Sequence, residues 1–153
     1  MGVEKPSKGA EKILLAQIKQ EFSAPAEAIE QYIDLVEQFA SQKNLDISSE
    51  ISQIKEAEDK LLSQYEEAFR ENTSADKKTK TSQEYSELRH NLRTPLNAII
   101  GYSEILIEDF EDDLSEECIK DLNTILSLSR ETETAIERFC LLYTSDAADE
   151  STC

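Results

Sequence analysis

Apolar residues recur at spacings of three and four along almost the whole chain of 153 residues. This spacing places apolar side chains on one face of an α-helix. Only three Gly and three Pro interrupt the pattern. We therefore predict an all-α protein with four amphipathic helices, at about residues 11–41, 48–70, 82–110 and 116–139.

The four predicted helices form two antiparallel hairpins, and each hairpin needs a second one to cover its apolar face. We expect a four-helix bundle, either within one chain as a pseudo-dimer or between two chains as a homodimer. The predicted organisation is a disordered N-terminus at 1–10, a first hairpin at 11–70, a polar linker at 71–80 and a second hairpin at 81–139.

Polar residues mark the predicted helix starts. Thr81 followed by Glu84 forms a capping box, in which each side chain accepts a hydrogen bond from a backbone amide of the first turn. Ser115 and Ser48 are candidate N-caps of the fourth and second helices. The run at 108–117 has seven acids in ten residues but lacks the ligand spacing and Gly of a calcium loop, so we interpret it as a hairpin turn.

The charge and composition exclude several kinds of partner. Lys and Arg number 16 and Asp and Glu 33, so the net charge of −17 disfavours nucleic acid and anionic membranes. The chain has no apolar run long enough to span a bilayer and no signal peptide. The three Cys do not suggest a disulfide framework, so we expect a cytoplasmic protein.

The segment 140–150, CLLYTSDAADE, lacks helical periodicity. It can be encoded by DNA that resembles a transposon-end adapter used to prepare sequencing libraries, read through in frame. We therefore interpret 140–153 as a non-native tail and exclude it from the fold. The alternative is a natural polar tail.

The first and third predicted helices align at an offset of 70 residues, IKQEFSAPAEAIEQYIDLV over LRHNLRTPLNAIIGYSEIL. Pro25 meets Pro95 in this alignment, and a Pro inside two helices at the same phase is unusual because it costs roughly 3 kcal/mol. We interpret the first hairpin as a degenerate copy of the second. The alternative is that two amphipathic helices align by chance.

Residues 90–104, HNLRTPLNAIIGYSE, combine His, Arg, Thr and Pro at fixed spacing with a long run of apolar and small residues. This motif resembles the phosphoacceptor box of histidine kinases, and the resemblance covers about residues 81–139. The apolar positions of this helix lie along one arc, and His90 lies about 160° from its centre at 100° per residue. His90 is therefore predicted to face solvent. A nucleophile that must contact both an ATP-binding domain and a receiver domain has to be exposed in this way.

The resemblance implies two-component signal transduction, in which His90 accepts a phosphoryl group from ATP and passes it to an Asp of a receiver domain. Pro95 would bend the helix and free the carbonyl of Asn91, and Thr94 stands where the family often orients a hydrolytic water. The family often has an acid directly after the His, where this chain has Asn91, whose amide cannot supply a full charge to an imidazolium. Gln20 aligns with His90, and it cannot accept phosphate in this chemistry.

The chain lacks a Gly-rich ATP lid, so we do not expect it to be a complete kinase, and it offers no cofactor or metal site of its own. ATP and Mg²⁺ would be held by a separate ATP-binding domain, which, if the gene encodes one, would follow residue 139. The expected partners are that domain, a response-regulator receiver domain and, through self-association, a second copy. The alternative function is a non-catalytic dimerisation or scaffold module at the front of a receiver- or cyclase-containing signalling protein.

Overall fold

The structure of the protein is a computed structural model that describes residues 8–73 and 82–151. The protein is all-α over these residues. The four helices are α1 (Lys8–Lys43), α2 (Ser48–Thr73), α3 (Ser82–Asp109) and α4 (Glu116–Ser151). The described residues include no strand, so the predicted fold class is confirmed. No described helix is both long enough and apolar enough to cross a membrane.

The helix ends have identifiable local causes. At the end of α1, Asn44 takes a left-handed conformation with φ of 55°, and the Leu45 amide donates to the Ala40 carbonyl at 2.9 Å. This is the bond that closes a Schellman motif, and Asn tolerates the left-handed position better than most residues. At the start of α4, the Cys118 amide donates to the Ser115 hydroxyl at 3.1 Å, which confirms the predicted cap.

The four helices pack side by side around one apolar core. The helix α1 packs against α2 and α4, and α3 packs against the same two helices. The helices α1 and α3 are therefore diagonally opposite, as are α2 and α4. Each hairpin thus covers the apolar face of the other, so the bundle is completed within a single chain.

The two aligned helices bury the same positions. At the offset of 70, six positions of α1 and their six counterparts in α3 are all buried. The pairs are Phe22 and Leu92, Pro25 and Pro95, Ala26 and Leu96, Ile29 and Ile99, Ile33 and Ser103, and Val36 and Leu106. An internal duplication would produce this shared register, and the duplication itself stays a prediction.

Several helix ends differ from the predicted ones. The helix α1 begins at Lys8, inside the segment expected to be disordered, and α2 continues to Thr73, past the expected start of the linker. A helix that already exists extends readily because each further residue adds one backbone hydrogen bond. The remainder of the predicted linker and Thr81 of the capping box lie outside the described residues.

Two further corrections concern α4 and α2. The helix α4 continues to Ser151 rather than ending at residue 139, and Cys140 within the expected tail is fully buried. The origin of residues 140–153 stays a prediction.

The expected cap of α2 is also wrong, because the Ile51 amide donates to the carbonyl of Ile47, which places Ile47 rather than Ser48 at the N-cap. A short polar residue next to a boundary does not by itself set the helix phase.

Candidate functional site

His90 lies on the solvent-facing side of α3. Its side chain is exposed, whereas Leu92, Leu96 and Ile99 on the opposite side of the same helix are fully buried. The burial of these apolar residues fixes the rotation of α3 about its axis and thereby turns His90 outward. The predicted exposure of His90 is confirmed.

Thr94 and Pro95 change the backbone hydrogen bonding of α3 one turn after His90. The Thr94 hydroxyl donates a hydrogen bond to the His90 carbonyl at 2.8 Å. Pro95 is buried within α3 and has no N–H, so the Asn91 carbonyl loses its usual partner four residues on. The Thr94 oxygen keeps lone pairs that can accept a hydrogen bond from water. Asn91 and Thr94 are both exposed, so both are available beside His90.

A surface groove between α2 and α3 runs along one side of His90. The α3 side is lined by His90, Asn91, Thr94, Pro95 and Ala98. The α2 side is lined by Gln53, Glu56, Ala57, Lys60 and Gln64. No residue of α2 was predicted to lie near the site, because no local pattern indicates which helix packs beside α3. A helix of the first hairpin therefore forms one wall of the candidate site.

Two arginines of α3 lie on the other side of His90 and pair with α4. Arg93 of the sequence box contacts Glu133 and Glu137, each at 3.6 Å, and Arg89 contacts Glu137 at 3.5 Å. A second surface groove on this side is lined by His90, Thr94 and both arginines. His90 thus lies between two surface grooves. The two arginines also link α3 to α4 through ion pairs.

The corresponding face of the first hairpin is arranged differently. Gln20 occupies the position of His90 in the repeat and is exposed. Glu21, at the position of Asn91, accepts two hydrogen bonds from the Arg138 guanidinium, at 2.6 and 2.7 Å. This face has no imidazole, and its carboxylate is already bound to a cation of α4.

The comparisons with known proteins concern mainly the second hairpin. Residues 81–148 match the family model of the His Kinase A (phospho-acceptor) domain. The chain is 38% identical over 85 residues to the aerobic respiration control sensor protein ArcB homolog of Haemophilus influenzae, a match that covers 52% of this chain and 25% of that protein. The chain therefore spans only about a quarter of this relative's length. No solved structure matches.

The family match begins one residue before α3 and covers the α3–α4 hairpin together with the box around His90. It agrees with the family that the motif at 90–104 indicated. The α3–α4 hairpin of this chain is thus similar to the His Kinase A (phospho-acceptor) domain family over residues 81–148.

Proposed function

We propose that His90 accepts a phosphoryl group from ATP and passes it to an Asp of a response-regulator receiver domain. The observation that carries this proposal is the position of His90: the only His of the chain lies exposed within the family's box. A relative described as a sensor protein adds support for a role in signalling. The reaction would make this chain part of a phosphorelay and a substrate of a transferase, in the cytoplasm where ATP is available.

The transfer requires an unprotonated imidazole nitrogen as the nucleophile. This nitrogen forms a bond to the terminal phosphorus of ATP while the bond from that phosphorus to the bridging oxygen breaks, and ADP leaves with the electron pair. The other ring nitrogen then loses its proton to solvent, and the Asn91 side-chain oxygen can accept a hydrogen bond from that nitrogen before the proton leaves. Such transfers depend mainly on positioning and on charge neutralisation. A separate ATP-binding domain would supply ATP and Mg²⁺, and α3 would present the imidazole.

The first prediction tests the acceptor. The purified chain is incubated with radiolabelled ATP and the isolated ATP-binding domain of a sensor histidine kinase, and acid-labile, alkali-stable label on the chain is measured. We expect label on the wild-type chain and its loss in His90→Gln. Gln20→Ala is the matched control, because it alters the corresponding position of the first hairpin, and it should keep the label.

Label that persists in His90→Gln would contradict the assignment. Absence of label from the wild-type chain, with several ATP-binding domains and with chemical phosphodonors, would favour the alternative of a non-catalytic dimerisation or scaffold module. A labelled chain is then mixed with a receiver domain, and we expect the label to move to that domain. Retention of all label on His90 would contradict the second half of the proposal.

A further inference from the structure

We propose that Lys60 of α2 is a phosphoryl-binding cation for His90, so that the first hairpin supplies part of the phosphotransfer site in cis. This inference rests on the proposed function of His90. It adds a residue from outside the matched family segment, which begins at residue 81.

The geometry places Lys60 across the groove from His90. Both side chains line the same surface groove between α2 and α3, together with Asn91 and Thr94. Ala57, one turn before Lys60, is buried and faces the core, which holds this part of α2 against its neighbours. Lys60 itself is exposed. A long side chain on this wall can direct its ammonium towards a group attached to the imidazole.

The charges around His90 distinguish Lys60 from the other nearby cations. Arg89 and Arg93 are paired with Glu133 and Glu137 of α4, so their charges are already offset. Among the described residues lining the α2–α3 groove, Lys60 is the one cation, and it forms no ion pair within 4 Å. Glu56 lies on the same wall of the groove, so Lys60 would supply the positive charge that a phosphoryl group on His90 needs there.

The expected effect is modest because the groove is open to water. Water between two charges weakens their interaction strongly, and a phosphoryl group carries close to two charges. Loss of the ammonium should therefore slow phosphorylation by about three- to tenfold. The effect should also shrink as salt screens the interaction, because the Debye length falls from about 10 Å at 0.1 M to about 3 Å at 1 M.

The second prediction tests Lys60 with phosphoramidate, a phosphodonor that needs no ATP-binding domain. The imidazole nitrogen of His90 forms a bond to phosphorus, the phosphorus–nitrogen bond of phosphoramidate breaks, ammonia leaves with the electron pair, and a proton from the ring passes to solvent. The initial rate of phosphohistidine formation is measured at low and high salt for wild type, Lys60→Gln and Lys60→Arg. Circular dichroism checks that each variant keeps its helical content.

Lys55→Gln is the matched control, because it removes the same charge from the same helix on another face. The Lys55 ammonium donates a hydrogen bond to Glu37 of α1 at 2.6 Å, away from the groove. We expect Lys60→Gln to be about three- to tenfold slower at low salt and close to wild type at high salt. We expect Lys60→Arg and Lys55→Gln to stay close to wild type.

Equal rates for wild type and Lys60→Gln at low salt would overturn the inference while leaving His90 as the acceptor. Equal slowing by Lys55→Gln would also overturn it, since the effect would then be one of net charge. Failure of the proposed function is a different outcome, in which wild type forms no phosphohistidine with phosphoramidate. A helical Lys60→Gln variant with an unchanged salt dependence would likewise contradict a direct role of the ammonium.

Discussion

Asn91 and Glu21 occupy matching positions in α3 and α1 but have different surroundings. Glu21 is held by two short hydrogen bonds from Arg138, whereas Asn91 is exposed in the groove beside His90. A carboxylate can stabilise the imidazolium that forms as phosphorus is attacked, and an amide can only accept its hydrogen bond. The chain therefore has an acid after Gln20, where there is no imidazole, and an amide after His90.

The third prediction concerns the absence of an acid at position 91. We expect Asn91→Glu to speed phosphorylation of His90 by about a hundredfold or more, as is typical of general acid–base assistance. The rate of acid-labile labelling by the ATP-binding domain measures this effect. Asn97→Glu is the control, because Asn97 is also exposed on α3 and the substitution adds the same charge to an already acidic chain. A rate that is unchanged or lower in a helical Asn91→Glu variant would contradict the prediction.

The packing of α1 against α2 contains a buried carboxyl group. Glu58 of α2 is only 2% exposed, and neither of its side-chain oxygens has a hydrogen-bond partner among the described residues. Burial and, to a smaller extent, the negative charges of Glu30 and Asp59 raise the pKa of Glu58 to about 8. The cleft beside it also contains Asp34 and Lys55. Lys55 contacts Asp34 at 3.8 Å and Glu37 at 2.6 Å.

The fourth prediction is the pH dependence of stability that Glu58 causes. Its pKa in the folded state is raised above the ordinary value of 4.5, so its contribution to stability is fully present below pH 4.5 and is lost as the pH rises to about 8. We expect the free energy of unfolding of wild type, relative to Glu58→Gln, to fall by about 1.4 kcal/mol per pH unit within this window. Urea unfolding at several pH values measures the difference.

Glu66→Gln serves as the control for Glu58→Gln, because Glu66 lies exposed on the same helix. The comparison between variants removes the contribution of the many other carboxylates, whose titration is common to all of them. A constant difference in unfolding free energy between wild type and Glu58→Gln from pH 5 to pH 8 would contradict the prediction. It would show that the Glu58 carboxylate reaches water when it ionises.

At the scale of the whole molecule, the chain completes its bundle with its own first hairpin. The packing between the hairpins, of α1 on α4 and of α2 on α3, is about as extensive as the packing of α3 on α4 within the second hairpin. The core includes residues from all four helices, among them Phe22, Leu61, Leu92 and Phe139, all at most 1% exposed. A homodimer through the second hairpin would require the first hairpin to leave this core.

The fifth prediction follows from this arrangement. We expect the full chain to have the mass of one chain in light scattering at micromolar concentration, with a single cooperative thermal transition in circular dichroism. The physical reason is that the apolar face of each hairpin is already covered, so a second copy would bury little further apolar surface. As a comparison, deletion of residues 1–74 exposes the α3–α4 face and should produce self-association or loss of helix. A full-length chain with the mass of a dimer would contradict the pseudo-dimer.

Much of the fold could be read locally from the sequence. The helices, the Ser115 cap of α4 and the outward direction of His90 depend on residues within a few turns of each other, so local patterns in the sequence reveal them. The ends of α2 and α4 could not be read in this way. Cys140 lies in a segment without clear periodicity, yet it is fully buried against the rest of the bundle. Whether a terminal turn persists depends on what packs against it, and that is a property of the neighbouring helices.

The sequence alone indicated the helical class, the resemblance of the second hairpin to a known family and the residues of the box at 90–104, because each depends on spacing between residues a few turns apart. The packing of the helices was needed to show which helix lies beside His90 and hence that Lys60 shares its groove. It also brought Arg138 to Glu21, 117 residues away in the chain, and withdrew Glu58 from water. These features arise from packing between helices far apart in sequence, and the same amphipathic faces would have been compatible with other pairings.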